Sequence, residues 1–182
     1  PEVNPDHVDL IATQRARRGW KGLIATNPNC STTVLVMALA PLAPFGIRRL
    51  HVVTMQPLSG AGYPGVPSMD IIDNVLPYIG GEEGKVESEP QKLLGTLASG
   101  AITPAAFAVS AQCNRVPVLE GHMLCVSVEL ESRPSLEEVK QAWRAFRGEP
   151  QERQLPSAPT VPIALRDEPD RPQHRKDRDT GD

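Results

Sequence analysis

The sequence is poor in several features that mark specialised protein classes. Aromatic residues make up 4% of its 182 residues, it has three cysteines, and no apolar run approaches the length of a membrane span. Three unclustered cysteines without a CxxC pair predict neither a disulfide framework nor a zinc site. They fit a reducing compartment, so we expect a cytoplasmic protein.

The charge balance shows no strong excess of either sign. Nineteen Lys and Arg stand against 22 Asp and Glu, which gives a net charge of −3. A protein that binds nucleic acid or an anionic membrane surface normally carries a basic patch, so we expect neither partner. The four histidines lack ligand spacing with one another, and we therefore expect no metal site.

The most informative stretch is NPNCSTT at 27–33. The residue before a proline is pushed away from helical angles, so the pattern predicts that a helix starts after Pro28. Cys30 would then lie in the first helical turn, where unpaired N–H groups and the helix dipole favour a thiolate. Cys30 is thus a candidate nucleophile, although a small buried cysteine is the simpler interpretation.

The surrounding patterns predict an α+β fold with a mixed or antiparallel sheet and helices on one face. The apolar segment 21–26 predicts a buried strand that leads into the Cys30 turn, which places this cysteine at the carboxyl edge of a sheet. Ser135 opens a capping box and a helix that extends to Phe146. Period-two alternation predicts further strands over 47–58, 106–112 and 123–130.

Composition changes near residue 150. We expect a folded domain over 1–150 and an extended, partly disordered tail over 151–182, because the tail is dense in proline and charge and has few apolar residues.

Three polar residues could join Cys30 if the strands pair beside its helix. Arg115 offers a rigid fork of donors for a carboxylate, His122 has the properties of a general acid–base, and Gln56 lies at a strand end. Each also has a simpler interpretation, as a surface ion pair, a turn residue and a polar strand terminus, respectively.

Other residues have simpler interpretations still. Glu82 and Lys85 alone predict a solvated face, and Cys113 and Cys125 predict core positions. The glycine-rich loop 59–67 lacks GxGxxG spacing, so it is either a connector or a loop whose N–H groups approach an anion.

Three segments occur in an order typical of one enzyme family. They are NPNCSTT at 27–33, TMQPLSGAGY at 54–63 and NRVPVLEGH at 114–122. Together they resemble the catalytic half of aspartate-β-semialdehyde dehydrogenase in its fungal and archaeal form, and the similarity extends from residue 1 to about 179. The resemblance implies a catalytic domain like the C-terminal domain of glyceraldehyde-phosphate dehydrogenase. It also implies NADPH-dependent reduction of β-aspartyl phosphate to aspartate β-semialdehyde, on the route to lysine, threonine and methionine.

The resemblance also implies roles for individual residues. Cys30 would attack the acyl phosphate and form a thioester, with His122 as general acid–base. Arg115 would bind the substrate α-carboxylate, Glu82 its α-ammonium group and Lys85 its phosphate.

Other positions receive supporting roles by the same resemblance. Gln56 would orient the acyl group, and the Asn29 side chain with the Cys30 backbone N–H would donate to the oxyanion. Ser59, Gly60 and Gly62 match the loop that approaches the nicotinamide.

The sequence departs from this family in one large respect. Members begin with a Rossmann half that binds NADP, and nothing of that kind lies in these 182 residues. We therefore expect an excised central piece that is inactive alone and does not bind NADP tightly. We also expect a homodimer or tetramer through an exposed sheet face with Val126, Val128 and Leu130 in alternate positions.

Alternatives remain open at this level. A related acyl-thioester reductase, acting on malonyl-CoA or N-acetylglutamyl phosphate, would use the same chemistry. A non-catalytic dimerisation module would carry the same residues without turnover, and a cysteine hydrolase is a more distant possibility.

Overall fold

The structure, a computed structural model, describes residues 2–178. Its elements, besides three short 3-10 turns, are α1 (Leu10–Arg18), α2 (Cys30–Leu39), β1 (Ile47–Gln56), α3 (Ser68–Ile71), α4 (Glu82–Leu93), β2 (Thr96–Ala98), β3 (Ala101–Thr103), β4 (Ala108–Arg115), β5 (Met123–Leu130), α5 (Leu136–Ala145), α6 (Glu149–Glu152) and α7 (His174–Asp177).

The main sheet has the order β4-β1-β5 and is mixed. β1 runs parallel to β4 and antiparallel to β5, whereas β2 and β3 form a separate two-stranded hairpin. The predicted α+β class and mixed sheet are confirmed. The register pairs Gln56 with Arg115 and Met55 with Met123, so the ends of β1 and β4 and the start of β5 share one edge.

The helices cover one face of this sheet. Leu50 and Val52 of β1 are fully buried, as is every second residue up to Gln56. They pack with Leu35 and Leu39 of α2 and with other apolar side chains of the core, including Val86 of α4. Alternation on β1 is thus the pattern expected of a strand with one covered face.

The uncovered face is not the one that the sequence predicted. Val126 and Val128 pair directly with Val52 and Leu50, and opposed residues of antiparallel strands project to the same side. Val126 and Val128 therefore lie on the side of the sheet that the helices cover, where Val128 packs against the core, although Val126 is 40% exposed. The prediction that they lie on the uncovered face is wrong, whereas the predicted exposure of Val126 is confirmed. The exposed face carries the intervening residues, such as His51 and Cys125.

Helix α4 is attached to the free edge of the sheet by its own carboxylates. Glu87 accepts a hydrogen bond from the backbone N–H of Ala111 (3.1 Å), and Glu83 accepts one from Cys113 (3.3 Å). Four helical residues rise about 6 Å and two strand residues about 6.6 Å, so the spacings match. These contacts align α4 with β4 and bring Glu82 to the sheet edge where Gln56 and Arg115 lie.

The predicted strand over 21–26 is absent from the described chain. This segment is irregular and exposed, with Ile24 61% accessible, although it leads directly into α2 as predicted. The Gln14 side chain takes the place of a neighbouring strand, because it donates to the Ile24 carbonyl and accepts from the Ile24 N–H, both at 3.0 Å.

The capping box at Ser135 is confirmed. Its hydroxyl accepts from the Glu138 N–H, and the Glu138 carboxylate accepts from the Ser135 N–H. Trp143 on the same helix donates its indole N–H to the Ala38 carbonyl at 2.8 Å, which joins α5 to the end of α2.

The segment 151–178 contains α6, which begins at Glu149, and α7, joined by irregular chain. The domain boundary near 150 and the mobility of the tail stay predictions, and residues 179–182 of that tail lie outside the described residues. Within residues 2–178, no helix combines the length and apolar character of a membrane span.

Candidate active site

The Cys30 turn is built by its N-cap residue. Asn29 has extended backbone angles, and its side-chain oxygen accepts from the Thr32 N–H at 3.1 Å. Cys30 is the first residue of α2 and is exposed, so it is not a small buried cysteine. Of the other two cysteines, Cys113 is buried as predicted, whereas Cys125 is exposed because the alternation of β5 directs it to the uncovered face.

A single carboxylate joins this turn to the sheet edge. Glu82 Oε2 accepts a hydrogen bond from Asn29 Nδ2 (2.8 Å) and another from Gln56 Nε2 (3.2 Å). Its second oxygen accepts from Lys85 Nζ at 3.3 Å. The Glu82 side chain is 12% exposed, whereas the Lys85 side chain is 53% exposed. A solvated face thus describes Lys85 but not Glu82.

Hydrogen bonds keep Glu82 ionised. Burial by itself would raise the pKa of the carboxyl, but hydrogen bonds from Asn29, Gln56 and Lys85 outweigh burial and hold the pKa below its usual range. The site therefore contains a negative charge that is already satisfied by donors from three parts of the chain.

The sequence interpretation missed Glu89. Its carboxylate accepts from the backbone N–H of Asn29 at 2.8 Å, so α4 holds Asn29 with two side chains. Glu82 and Glu89 are seven residues apart on one helix and therefore share a face, and this spacing was the available signal.

Arg115 is buried at the end of β4, directly opposite Gln56, with 6% of its surface exposed. Its guanidinium donates to the Pro57 carbonyl at 2.7 Å, and its backbone pairs with Leu76. No carboxylate of residues 2–178 lies within ion-pair distance of it. A surface ion pair is excluded, and the remaining N–H groups can bind a substrate carboxylate.

His122 lies immediately before β5, beside Arg115. Its Nε2 atom is buried and has no hydrogen-bond partner among the described residues. Burial lowers the pKa of the ring, and the positive charge of Arg115 lowers it further, whereas Glu82 acts in the opposite direction. The ring is therefore neutral near pH 7 and can accept a proton.

Gly60 makes the close approach of these residues possible. A Cβ at this position would lie 2.9 Å from an Arg115 guanidinium nitrogen and 3.8 Å from His122 Nε2. The neighbouring Ser59 is exposed and donates its backbone N–H to the Leu119 carbonyl at 3.0 Å. Gly62, with φ +68°, has open space where a Cβ would lie, and its backbone N–H donates to the Ser59 carbonyl at 3.2 Å.

The structure thus brings the predicted residues to one sheet edge, with Gly62 at its periphery. Asn29, Gln56 and Lys85 meet at Glu82, and Arg115 and His122 meet beside Gly60. Cys30 follows Asn29 directly and opens into a cavity of about 420 Å³ that Asn27, Pro28 and Met37 also line. None of the other candidate residues lines this cavity, and His122 lines a separate one. Residues 2–178 contain no cluster of three or more metal-type ligands.

We expect Glu82→Gln to lower the free energy of unfolding by about 2 kcal/mol at pH 7. The amide N–H groups of glutamine would face the N–H groups that donate hydrogen bonds to Glu82. Folding lowers the pKa of Glu82, so the ionised carboxylate contributes to stability above its pKa in the unfolded chain. This contribution is lost as the pH falls through the pKa of Glu82 in the folded chain. Urea titrations at pH 7 and pH 3 measure the loss, which should shrink at the lower pH. Glu137→Gln, in an exposed pair with Arg144, is the control and should cost less than about 0.5 kcal/mol. A loss for Glu82→Gln that is equal at both pH values would contradict this account.

Comparisons with known proteins show which family this chain is similar to. Residues 39–182 match the family described as semialdehyde dehydrogenase, dimerisation domain. Aspartate-semialdehyde dehydrogenase of Methanothermobacter thermautotrophicus is 53% identical over 180 residues, which cover 98% of this chain and 52% of that protein. The Aspergillus fumigatus enzyme of the same name is 51% identical over 187 residues, with 98% and 52% covered.

A solved structure shows the same fold. The crystal structure of aspartate semialdehyde dehydrogenase with NADP from Candida albicans matches with a TM-score of 0.87 and 42% identity, covering 100% of this chain and 54% of that one. The chain spans about half the length of the curated relatives that it matches. It belongs to the semialdehyde dehydrogenase dimerisation-domain family.

Proposed function

We propose that this chain supplies the catalytic half of an NADP-dependent aspartate-semialdehyde dehydrogenase. The observation that carries the proposal is the Glu82 carboxylate, which ties the turn of Cys30 to Gln56 at the sheet edge occupied by Arg115 and His122. The relatives' names favour this substrate over malonyl-CoA or N-acetylglutamyl phosphate. The presence of the whole set of polar groups at one edge argues against a non-catalytic module.

Substrate binding follows from the charges at the site. The buried Arg115 fork binds the α-carboxylate of β-aspartyl phosphate, and the ionised Glu82 binds its α-ammonium group. Lys85 is exposed at the mouth of the site, and its ammonium group binds the phosphate. Gln56 is held by Glu82 and orients the acyl group.

In the proposed reaction the Cys30 sulfur attacks the acyl carbon, and the neutral His122 ring takes the thiol proton. The bond from carbon to the phosphate oxygen breaks, inorganic phosphate leaves with the electron pair, and a thioester remains on Cys30. After reduction the carbon–sulfur bond breaks to give the aldehyde, and the proton returns from His122 to sulfur.

The oxyanion that develops in each step needs hydrogen-bond donors. The backbone N–H of Cys30 lies at the open start of α2 and is one donor. One N–H of the Asn29 side-chain amide already donates to Glu82, so the second N–H of that amide is the other donor to the oxyanion.

The loop beside His122 fits a flat ring. Gly60 leaves the space that a Cβ would fill next to Arg115 and His122, and Gly62 and Ser59 are open to solvent. These residues would hold the nicotinamide end of NADP, which supplies the hydride when bound. The remainder of the cofactor would be held by the other half of the longer enzyme, since this chain spans about half the length of its relatives.

A graft tests this function. We expect a chimera, in which this chain replaces the equivalent half of the Methanothermobacter thermautotrophicus enzyme, to oxidise aspartate β-semialdehyde with NADP⁺ and phosphate. Cys30→Ala in the graft should abolish the reaction, whereas Cys125→Ala, an exposed cysteine on the uncovered face, should leave it within about twofold.

Folding of the graft is checked by circular dichroism and thermal unfolding. A folded graft without activity, or one whose activity survives Cys30→Ala, would refute the proposal.

We further propose a homodimer through the uncovered face of the main sheet, in a cytoplasmic protein that keeps its free thiols reduced. Membership of a dimerisation-domain family supports a dimer. This face carries His51, Cys125 and Ser127 with half-buried Val53 between them, and its charged side chains Arg49 and Glu129 pair with each other at 3.9 Å.

We expect light scattering at micromolar concentration to give twice the 19.7 kDa chain mass. Cys125→Arg should reduce the mass to that of one chain, because a charge at the centre of an isologous interface meets its own copy. Glu152→Arg, exposed on α6, is the matched control and should stay dimeric. A monomer mass for the parent chain would refute the dimer.

A further inference from the structure

The last part of the described chain lies against the candidate acid–base residue. Gly121, which precedes His122, has φ +88°, and a Cβ there would lie 3.5 Å from His174 Cδ2 and 3.6 Å from Arg178 Cβ. Helix α7 therefore packs on the turn that presents His122. The sequence assigned His174 no role.

The segment that carries α7 is held in place by its own charges. The Asp177 carboxylate accepts from Arg171 Nε at 2.8 Å and from the Gln173 backbone N–H at 2.5 Å, and it pairs with Arg166 at 3.3 Å. The hydrogen bonds from Arg171 and Gln173 hold the pKa of this carboxyl far below its usual range. The position of His174 is thus set by a cluster of hydrogen bonds rather than by one contact.

His174 and His122 line the same cavity of about 330 Å³. Its other walls are mostly apolar and come from α2 and β5, for example Val34, Leu124 and Val126. The Nε2 atoms of both rings are buried, and neither has a hydrogen-bond partner within residues 2–178. Buried polar atoms are normally satisfied, so two unsatisfied imidazole nitrogens in one cavity call for an explanation.

We propose that His174 is a positioning residue, which acts on His122 across this cavity and keeps its ring in the neutral form that accepts a proton. The coupling between the rings stands on the geometry, and its meaning for catalysis rests on the proposed function. Two imidazoles cannot both be protonated at low cost in a mostly apolar cavity in which the Asp177 carboxylate is already bound by Arg171 and Gln173, and Arg115 already places a positive charge beside His122.

The groups that face His122 come from three elements. Arg115 of β4 and His174 of α7 lower the pKa of the ring in addition to burial, and Glu82 of α4 raises it. The Asp177 carboxylate also lines the cavity, but Arg171 and Gln173 occupy its oxygens. His174 is therefore the imidazole that faces His122 within the shared cavity.

The test is an NMR titration of the four histidine rings in this chain, each assigned by its removal. We expect His174→Phe and His174→Ala both to raise the pH at which His122 protonates. Phenylalanine retains an apolar cover over the cavity and removes only the charge and the ring nitrogens. His51→Gln, an exposed histidine on the opposite sheet face, is the control and should leave His122 unchanged.

Comparison of His174→Phe with His174→Ala separates the effect of the imidazole on His122 from the effect of covering the cavity. If His174→Phe leaves the His122 titration at its parent position, His174 acts only as a cover, and the proposal is overturned. His174→Gln removes the ring, keeps a neutral polar side chain in the cavity and should move His122 in the same direction, so the test does not depend on one variant being folded. Because the readout needs no turnover, it remains decisive even if the graft proves inactive.

Discussion

A half-buried carboxylate that must be satisfied sets the geometry of this molecule. Glu82 cannot be removed from water without donors, and it obtains them from the N-cap of α2, from the end of β1 and from its own helix. Because the donors belong to separate elements, satisfying one charge fixes where those elements meet. The Cys30 turn is therefore positioned by the same interaction that positions Gln56.

The sheet topology explains why the remaining groups arrive at this place. β1 and β4 are parallel, so Gln56 and Arg115 end at one edge, and β5 is antiparallel, so His122 enters at that edge. In this mixed sheet, residues at the ends of β1 and β4 and at the start of β5 therefore lie at the same edge. The carboxylates of Glu83 and Glu87 hold α4 against the free edge of β4 and deliver Glu82 to the point where the strands end.

Local patterns in the sequence predicted the parts of the structure that local physics decides. Alternation predicted β1 and β5, the Asn-Pro turn predicted the start of α2, and the capping box predicted α5. Tertiary partners decided the rest. The segment 21–26 has the composition of a strand but no neighbouring strand in the described chain. Glu82 is of a residue type usual at the surface, but it accepts a hydrogen bond from the buried Gln56.

Period-two alternation on β5 could not say which of its faces is covered, and for that reason Val126 and Cys125 were assigned to the wrong sides. The Glu82–Glu89 spacing indicates a shared helix face, but it does not indicate that Glu89 contacts Asn29, which lies 60 positions away. His174 acts over about 50 positions, and no local pattern predicts that contact.

A double-mutant cycle between Asn29 and Glu82 tests the central claim most directly. Asn29→Ala, Glu82→Ala and the double variant are compared by urea unfolding at pH 7, where Glu82 is ionised. We predict a coupling free energy of about 1–2 kcal/mol, because the 2.8 Å hydrogen bond involves a charged, largely buried acceptor. Losses that add to within about 0.3 kcal/mol would show that the two residues act independently, and the account of the site would then be wrong.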